Sequence, residues 1–197
     1  MARILIATFY AHEPITVSAA KLGVDKIVLL IDNEPDKKQQ EALEIIKKSV
    51  GPIVETVKSD IYDIVAVAKV ACNIIDRHQK DELYVNVTAG RKTKALGLLY
   101  ACYMRDKWVN KIIYITEEDK KMIILPKLSF NLKPTELKVL EHIEKKEIRS
   151  ITDSAAEIDV SKSMLYSNLD ELKNKGLIEE TKEKEYILTD AGRIALL

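Results

Sequence analysis

The 197-residue sequence is short of the residues that build special-purpose scaffolds: two cysteines, six glycines, five prolines, one tryptophan, and no net charge. The cysteines, Cys72 and Cys102, lie singly in apolar helical runs. They exclude a disulfide framework and read as buried thiols of a reduced, cytoplasmic protein. No apolar run approaches the roughly 18 residues of a membrane span, and the opening MARILIATFY turns polar too soon for a leader, so no membrane partner is expected. A balanced charge demands neither nucleic acid nor a lipid surface. The sequence has no G-x-G-x-x-G after its first strand, no P-loop lysine motif, no G-x-S-x-G elbow and no Cys/His cluster with metal spacing. These absences argue against a dinucleotide cofactor, a metal and a catalytic constellation. The histidines, His12, His78 and His142, are scattered.

What is present is a substantial core, 47% apolar against 31% charged residues. Residues 3–8, 26–31, 53–57, 83–88, 111–116 and 121–125 read as strands. Residues 14–22, 36–50, 61–77 and 91–104 read as the intervening helices, with Pro14 early in the first and Gly51-Pro52 ending the second. Alternation of this kind predicts an α/β fold with a doubly wound, mainly parallel six-stranded Rossmann-like sheet. A short turn before the sixth strand predicts an antiparallel edge.

Ligands of such sheets lie beyond the carboxyl ends of the strands, at the switch point. The stretch 83–98, LYVNVTAGRKTKALGL, carries a strand through a sharp turn into a helix. Unpaired N–H groups and the positive end of the helix dipole favour an anion there. Thr88 adds a hydroxyl, Arg91 and Lys92 add charge, and Gly90 permits close approach; a purely structural βα connection is the competing reading. The loop after the first strand, Thr8 to Glu13, is the second candidate. Phe9 and Tyr10 can stack on a base and His12 or Glu13 can bond base or ribose, or the aromatics pack beneath the sheet and His12 is simply solvated.

After Pro126 the pattern changes. Residues 127–133 read as a linker, 135–146, 150–158 and 161–175 as three helices, 177–181 and 185–188 as a hairpin, and 190–197 as a last helix. This order is that of a winged helix-turn-helix domain over 134–197. The third helix would present Ser161, Lys162, Ser163, Tyr166, Ser167 and Asn168 to double-stranded DNA, packing inward through Met164, Leu165, Leu169 and Leu172, with Lys182 and Lys184 at the wing tip. From residue 131 onward, however, 11 basic residues face 14 acidic ones, whereas DNA binding favours a basic footprint. Focused positive charge, reliance on a dimer, or a protein partner are the alternatives.

The segment NVTAGRKTKALGLLYA resembles the signature after the fourth strand of CRISPR-associated Rossmann-fold (CARF) domains, Asn-x-Thr-Gly-Gly-x-Lys-like, with Ala89 in place of a glycine. The loop 8–13 resembles their first signature. With the C-terminal helices the chain resembles the CARF–winged-helix transcription regulators of archaeal CRISPR systems, the Csa type. That resemblance implies a homodimer over residues 1–126 binding a cyclic oligoadenylate, commonly cyclic tetra-adenylate, across its two-fold axis. Asn86, Thr88, Ala89, Gly90, Arg91 and Lys92 would line the pocket, with Thr8, Phe9, Tyr10, His12 and Glu13 around base and ribose. No Arg-(x4–6)-His ribonuclease motif occurs, which favours a regulator. A metal-independent ring nuclease using the same pocket, and a protein-binding adaptor, are the other readings.

Overall fold

A computed structural model describes residues 1–128 and 132–196. Part of the predicted linker, 129–131, and the last residue of the predicted terminal helix, 197, lie outside the described residues. The chain divides into two compact units, Met1–Leu125 and Pro126–Leu197.

In the first unit β1 (Arg3–Thr8), β2 (Lys26–Asp32), β3 (Ile53–Ser59), β4 (Glu82–Asn86), β5 (Val109–Ile115) and β6 (Met122–Leu125) form one sheet of order β3-β2-β1-β4-β5-β6. All pairs are parallel except β5–β6, which is antiparallel as the short connecting turn requires. Helices α1 (Glu13–Leu22) and α2 (Lys37–Ser49) cover one face, α3 (Ile64–Arg77) and α4 (Lys92–Met104) the other. Because both faces are covered, the central strands read as continuous apolar runs. In β1, Ile4 and Ile6 join the α3/α4 core while Leu5 and Ala7 join the α1/α2 core.

Helix α3 starts at Ile64, three residues later than apolar periodicity predicts. The Asp60 carboxylate accepts the N–H groups of Tyr62 and Asp63, each at 2.8 Å, and holds a turn there; Asp63 then caps the helix by accepting from Ala66 N at 2.9 Å. Gly97 lets α4 lie close on α3, since a Cβ would stand 2.8 Å from Val67 Cβ.

The second unit consists of α5 (Pro134–Lys145), α6 (Ile151–Glu157), α7 (Lys162–Asn174), the antiparallel pair β7 (Ile178–Glu180) and β8 (Tyr186–Leu188), and α8 (Asp190–Ala195). Ser150, Ser161 and Thr189 cap α6, α7 and α8 through their hydroxyls. Val139, Leu140, Leu165, Leu169, Leu172 and Leu177 form its core.

Candidate functional site

Strand order reverses between β1 and β4, so the segments leaving these two strands flank one crevice at the switch point. Residues 83–98 and 8–13 therefore meet. Their side chains divide into those that build the crevice and those that rim it.

Three predicted ligand residues are builders. Asn86 is fully buried: Nδ2 donates to Ser18 Oγ at 2.6 Å and to Pro14 O at 3.2 Å, and Oδ1 accepts from Thr88 N at 2.8 Å. It fastens β4 to α1 and is not presented to the crevice. Thr8 is also fully buried, donating its hydroxyl to the Ala89 carbonyl and so stitching the two loops together. Phe9 is fully buried in the α1/α2 core with Ile15 and Leu29, so the packing alternative describes it and base stacking does not.

Gly90 has φ +96°, and a Cβ there would lie 3.2 Å from Thr8 Cβ and 3.4 Å from Phe9 N. Glycine is therefore required by the approach of the two loops themselves. Ala89 is buried beside it. Thr88 is half-buried; its hydroxyl accepts from Ile115 N at 2.7 Å and keeps its proton available as a donor.

The rim is cationic and aromatic. Arg91 occupies the N-cap position of α4 but makes no side-chain bond to the first turn, which leaves that turn's N–H groups uncapped. Thr93 is turned away, donating to Ile61 O. Arg91 and Lys92 are exposed. The Arg91 guanidinium lies 5.4 Å from the centroid of the Tyr10 ring, and Lys38 Nζ lies 5.2 Å from the same ring. Tyr10 donates its hydroxyl to Asp36 Oδ2 at 2.9 Å, which raises the phenol pKa. The Gln39 N–H and then this phenol hold the Asp36 carboxyl below its ordinary value. His12 is half-buried at the N-cap of α1, without a side-chain capping bond. Glu13 is paired with Lys120 at 3.1 Å.

Residue-by-residue reading of the sequence missed Asp32, Asp36, Gln39 and Lys94, all converging here. Lys94 is fully buried, with Nζ 2.8 Å from Asp32 Oδ1. Burial pushes the Lys94 ammonium down and the Asp32 carboxylate pulls it partly back up. A signal existed: Lys94 precedes the core residues Leu98 and Ala101 by four and seven positions, so a charge stands at core spacing. Taken together, an uncapped helix start, a glycine turn, a free hydroxyl proton and two exposed cations form a surface complementary to an anion such as phosphate.

In the second unit Ser161, Lys162, Ser163, Tyr166 and Ser167 are exposed along α7, and Lys182 and Lys184 are exposed between β7 and β8. Ser161 uses its hydroxyl as the helix cap, accepting from Met164 N at 3.2 Å. Two assignments are corrected. Asn168 is 5% exposed and faces inward, with Oδ1 accepting from Thr135 at 3.4 Å, whereas Met164, expected inside, is 45% exposed. The inward stripe of α7 is Leu165, Asn168, Leu169 and Leu172; Asn168 continues the i, i+3, i+4, i+7 spacing from Leu165 that Met164 breaks. Among the described residues no group of three or more His, Cys, Asp or Glu is placed to hold a metal, and no helix is long and apolar enough to cross a membrane.

Fold and site together define a doubly wound α/β protein with an anion-complementary turn at its switch point. The family described as HFX_2341_N:-like, N-terminal, matches residues 4–121, and the chain belongs to that family. No curated protein matches the chain. Among solved structures it is similar to Csm6 from Enterococcus italicus bound to cyclic hexa-2'-fluoro-hexa-dAMP. The TM-score is 0.56 and the identity 13%, over 89% of this chain and 56% of that one. A second similar structure is Can2 from Sulfobacillus thermosulfidooxidans in complex with cyclic tetra-adenylate, at TM-score 0.48 and 12% identity, over 98% of this chain and 63% of that one. The chain thus spans between half and two thirds of the length of these structures. The likeness to Csm6 is one of fold.

Proposed function

We propose that the chain is a cyclic-oligoadenylate sensor of a CRISPR system that regulates transcription. Residues 1–126 would bind the ring as a two-fold dimer, and 134–197 would contact double-stranded DNA as a winged helix. The observation that carries the reading is the uncapped start of α4, flanked by Arg91 and Lys92 and closed by the glycine turn onto β1. Its chemistry suits phosphate; the Tyr10 ring beside Arg91 would meet a base, and His12 would meet base or ribose. The Csm6 structure of like fold was solved with a cyclic adenylate analogue bound, which agrees with this ligand class.

The dimer has its own support. Leu96, Tyr100 and Met104 of α4 and Val65 of α3 are exposed by 42–64%, and a groove of about 560 Å³ runs between the two helices. An apolar face of this kind on a small unit favours a partner. A second copy would place two anion turns about one axis, matching a ring with its own two-fold symmetry.

Calorimetric titration with cyclic tetra-adenylate, and in parallel the six-membered ring, tests the reading. Micromolar or tighter binding is expected, weakened about tenfold to a hundredfold in the Arg91→Ala, Lys92→Ala variant. Absence of heat, or unchanged affinity in the variant, rejects it. Chromatography of the ring after hours with the protein distinguishes a sensor, which leaves it intact, from a ring nuclease. The DNA half predicts gel shifts with sequence preference and a salt slope; no shift at low salt would favour the adaptor that the acidic balance of 134–197 allows.

A further inference from the structure

One buried ion pair at this edge of the sheet has no part in the contacts proposed so far. Lys94 and Asp32 have side chains 0% and 6% exposed, with 2.8 Å between Nζ and Oδ1. Lys94 lies in the first turn of α4; Asp32 ends β2, and the two are 62 residues apart. Stability alone does not account for the pair, because apolar residues of similar volume usually serve a core as well as a buried ion pair or better. What the pair has and a Leu–Met contact lacks is a fixed length and direction.

Asp32 is itself braced. Its N–H donates to Gln39 Oε1 at 3.1 Å, and Gln39 Nε2 donates to Phe9 O at 2.7 Å. The Gln39 N–H donates to Asp36 Oδ1 at 2.8 Å, Asp36 Oδ2 accepts from the Tyr10 hydroxyl, and the Tyr10 ring faces Arg91. Arg91 stands three residues before Lys94, so the circuit returns to the helix turn where it began. One side chain anchors the start of α4 from within the core and the other from the rim. The loop after β2 thereby becomes a third component of the site, beside those after β1 and β4.

We infer that the Lys94–Asp32 pair is a positioning device which fixes the first turn of α4 against the end of β2, and so holds Arg91 and the uncapped N–H groups where an anion meets them. The role in ligand affinity rests on the phosphate reading above; the role in fixing the helix start does not. Lys94 touches no ligand in this scheme and acts through the turn it anchors.

The test compares the parent, the single variants Asp32→Asn and Lys94→Met, and the double variant Asp32→Leu/Lys94→Met. Urea midpoints, residue-resolved amide exchange and calorimetry with cyclic tetra-adenylate are measured on each full-length chain. Each single variant leaves a buried charge without its opposite charge and should lower the midpoint, and the double variant should recover most of that loss. In the recovered double variant, exchange at the Ala95 amide, which closes the first turn onto the Arg91 carbonyl, should still rise about tenfold while Ala101 is unchanged. Its affinity for the ring should fall about tenfold with the salt slope preserved, since no surface cation is lost. Parental exchange at Ala95 in the double variant overturns the inference. Should that double variant not fold, Asp32→Asn/Lys94→Met, which removes the pair without stranding a charge, replaces it, and parental Ala95 exchange there overturns the inference equally. A parent that ignores the ring rejects the functional reading, and Ala95 exchange then decides the positioning role alone.

Discussion

Asn86 shows how much a single residue at a strand end can hold. Its amide engages α1 through Pro14 and Ser18, and its carbonyl oxygen accepts the Thr88 N–H that begins the turn. Asn86→Ala removes all three bonds inside a buried pocket, with an expected loss of about 2–3 kcal/mol, read from the urea midpoint. The sequence reading makes Asn86, Thr8 and Phe9 ligand contacts, whereas the structure buries all three in the walls of the crevice. A polar or aromatic residue at the end of a strand looks identical in sequence whether it faces the crevice or ties its walls together; only burial separates the two. Lys94 is the converse case, a charge that a linear reading assigns to solvent and the fold encloses completely.

At the scale of elements, hydrophobic periodicity locates every strand and helix of the first unit to within a few residues, and some of its errors fall where polar side chains set a boundary. The late start of α3 is one, imposed by the Asp60 turn and the Asp63 cap. Helix α7 was rotated for a similar reason: a buried Asn168 broke the apolar stripe and an exposed Met164 imitated it. Helix α5 carries a comparable polar anchor. Glu136 is fully buried, with Oε2 accepting from Lys133 N at 2.8 Å and from Lys175 Nζ at 2.7 Å. Burial pushes its carboxyl up, but Lys175 and the Lys133 N–H outweigh that and hold it below the ordinary carboxylate value. A depressed folded-state pKa contributes stability that is present above the unfolded value of about 4.3 and is lost as pH falls through the folded value. Glu136→Gln should therefore lower protection of α5 and α7 at neutral pH and flatten its decline in acid, as followed by amide exchange of peptides from these helices between pH 7 and pH 3. A variant that declines as steeply as the parent would place the acid sensitivity elsewhere.

For the whole molecule, alternation of element types was enough to read the doubly wound sheet, its parallel pairing and its antiparallel edge, because chirality and crossover length leave few other arrangements. Partners were not legible in that way. They depend on surface that no periodicity encodes, such as the exposed Tyr100 and Met104 on a helix whose other sides are buried. If a second copy covers this face, Tyr100→Glu with Met104→Glu converts a dimer to a monomer in analytical ultracentrifugation while leaving the far-ultraviolet dichroism unchanged. A parent that sediments as a monomer at micromolar concentration would remove the two-fold arrangement from the proposed function.

The position of β1 in the sheet has a consequence for synthesis. It pairs with β2 on one side and with β4 on the other, and β4 begins at Glu82. A nascent chain that has completed β1, β2 and β3 still exposes the unpaired backbone edge of β1 over Arg3–Ala7, the stretch that later pairs with β4. Until β4 leaves the ribosome, that edge is open to pairing with any other extended chain. Ribosome-bound fragments ending before Glu82 should consequently engage chaperones that release fragments extending beyond α4.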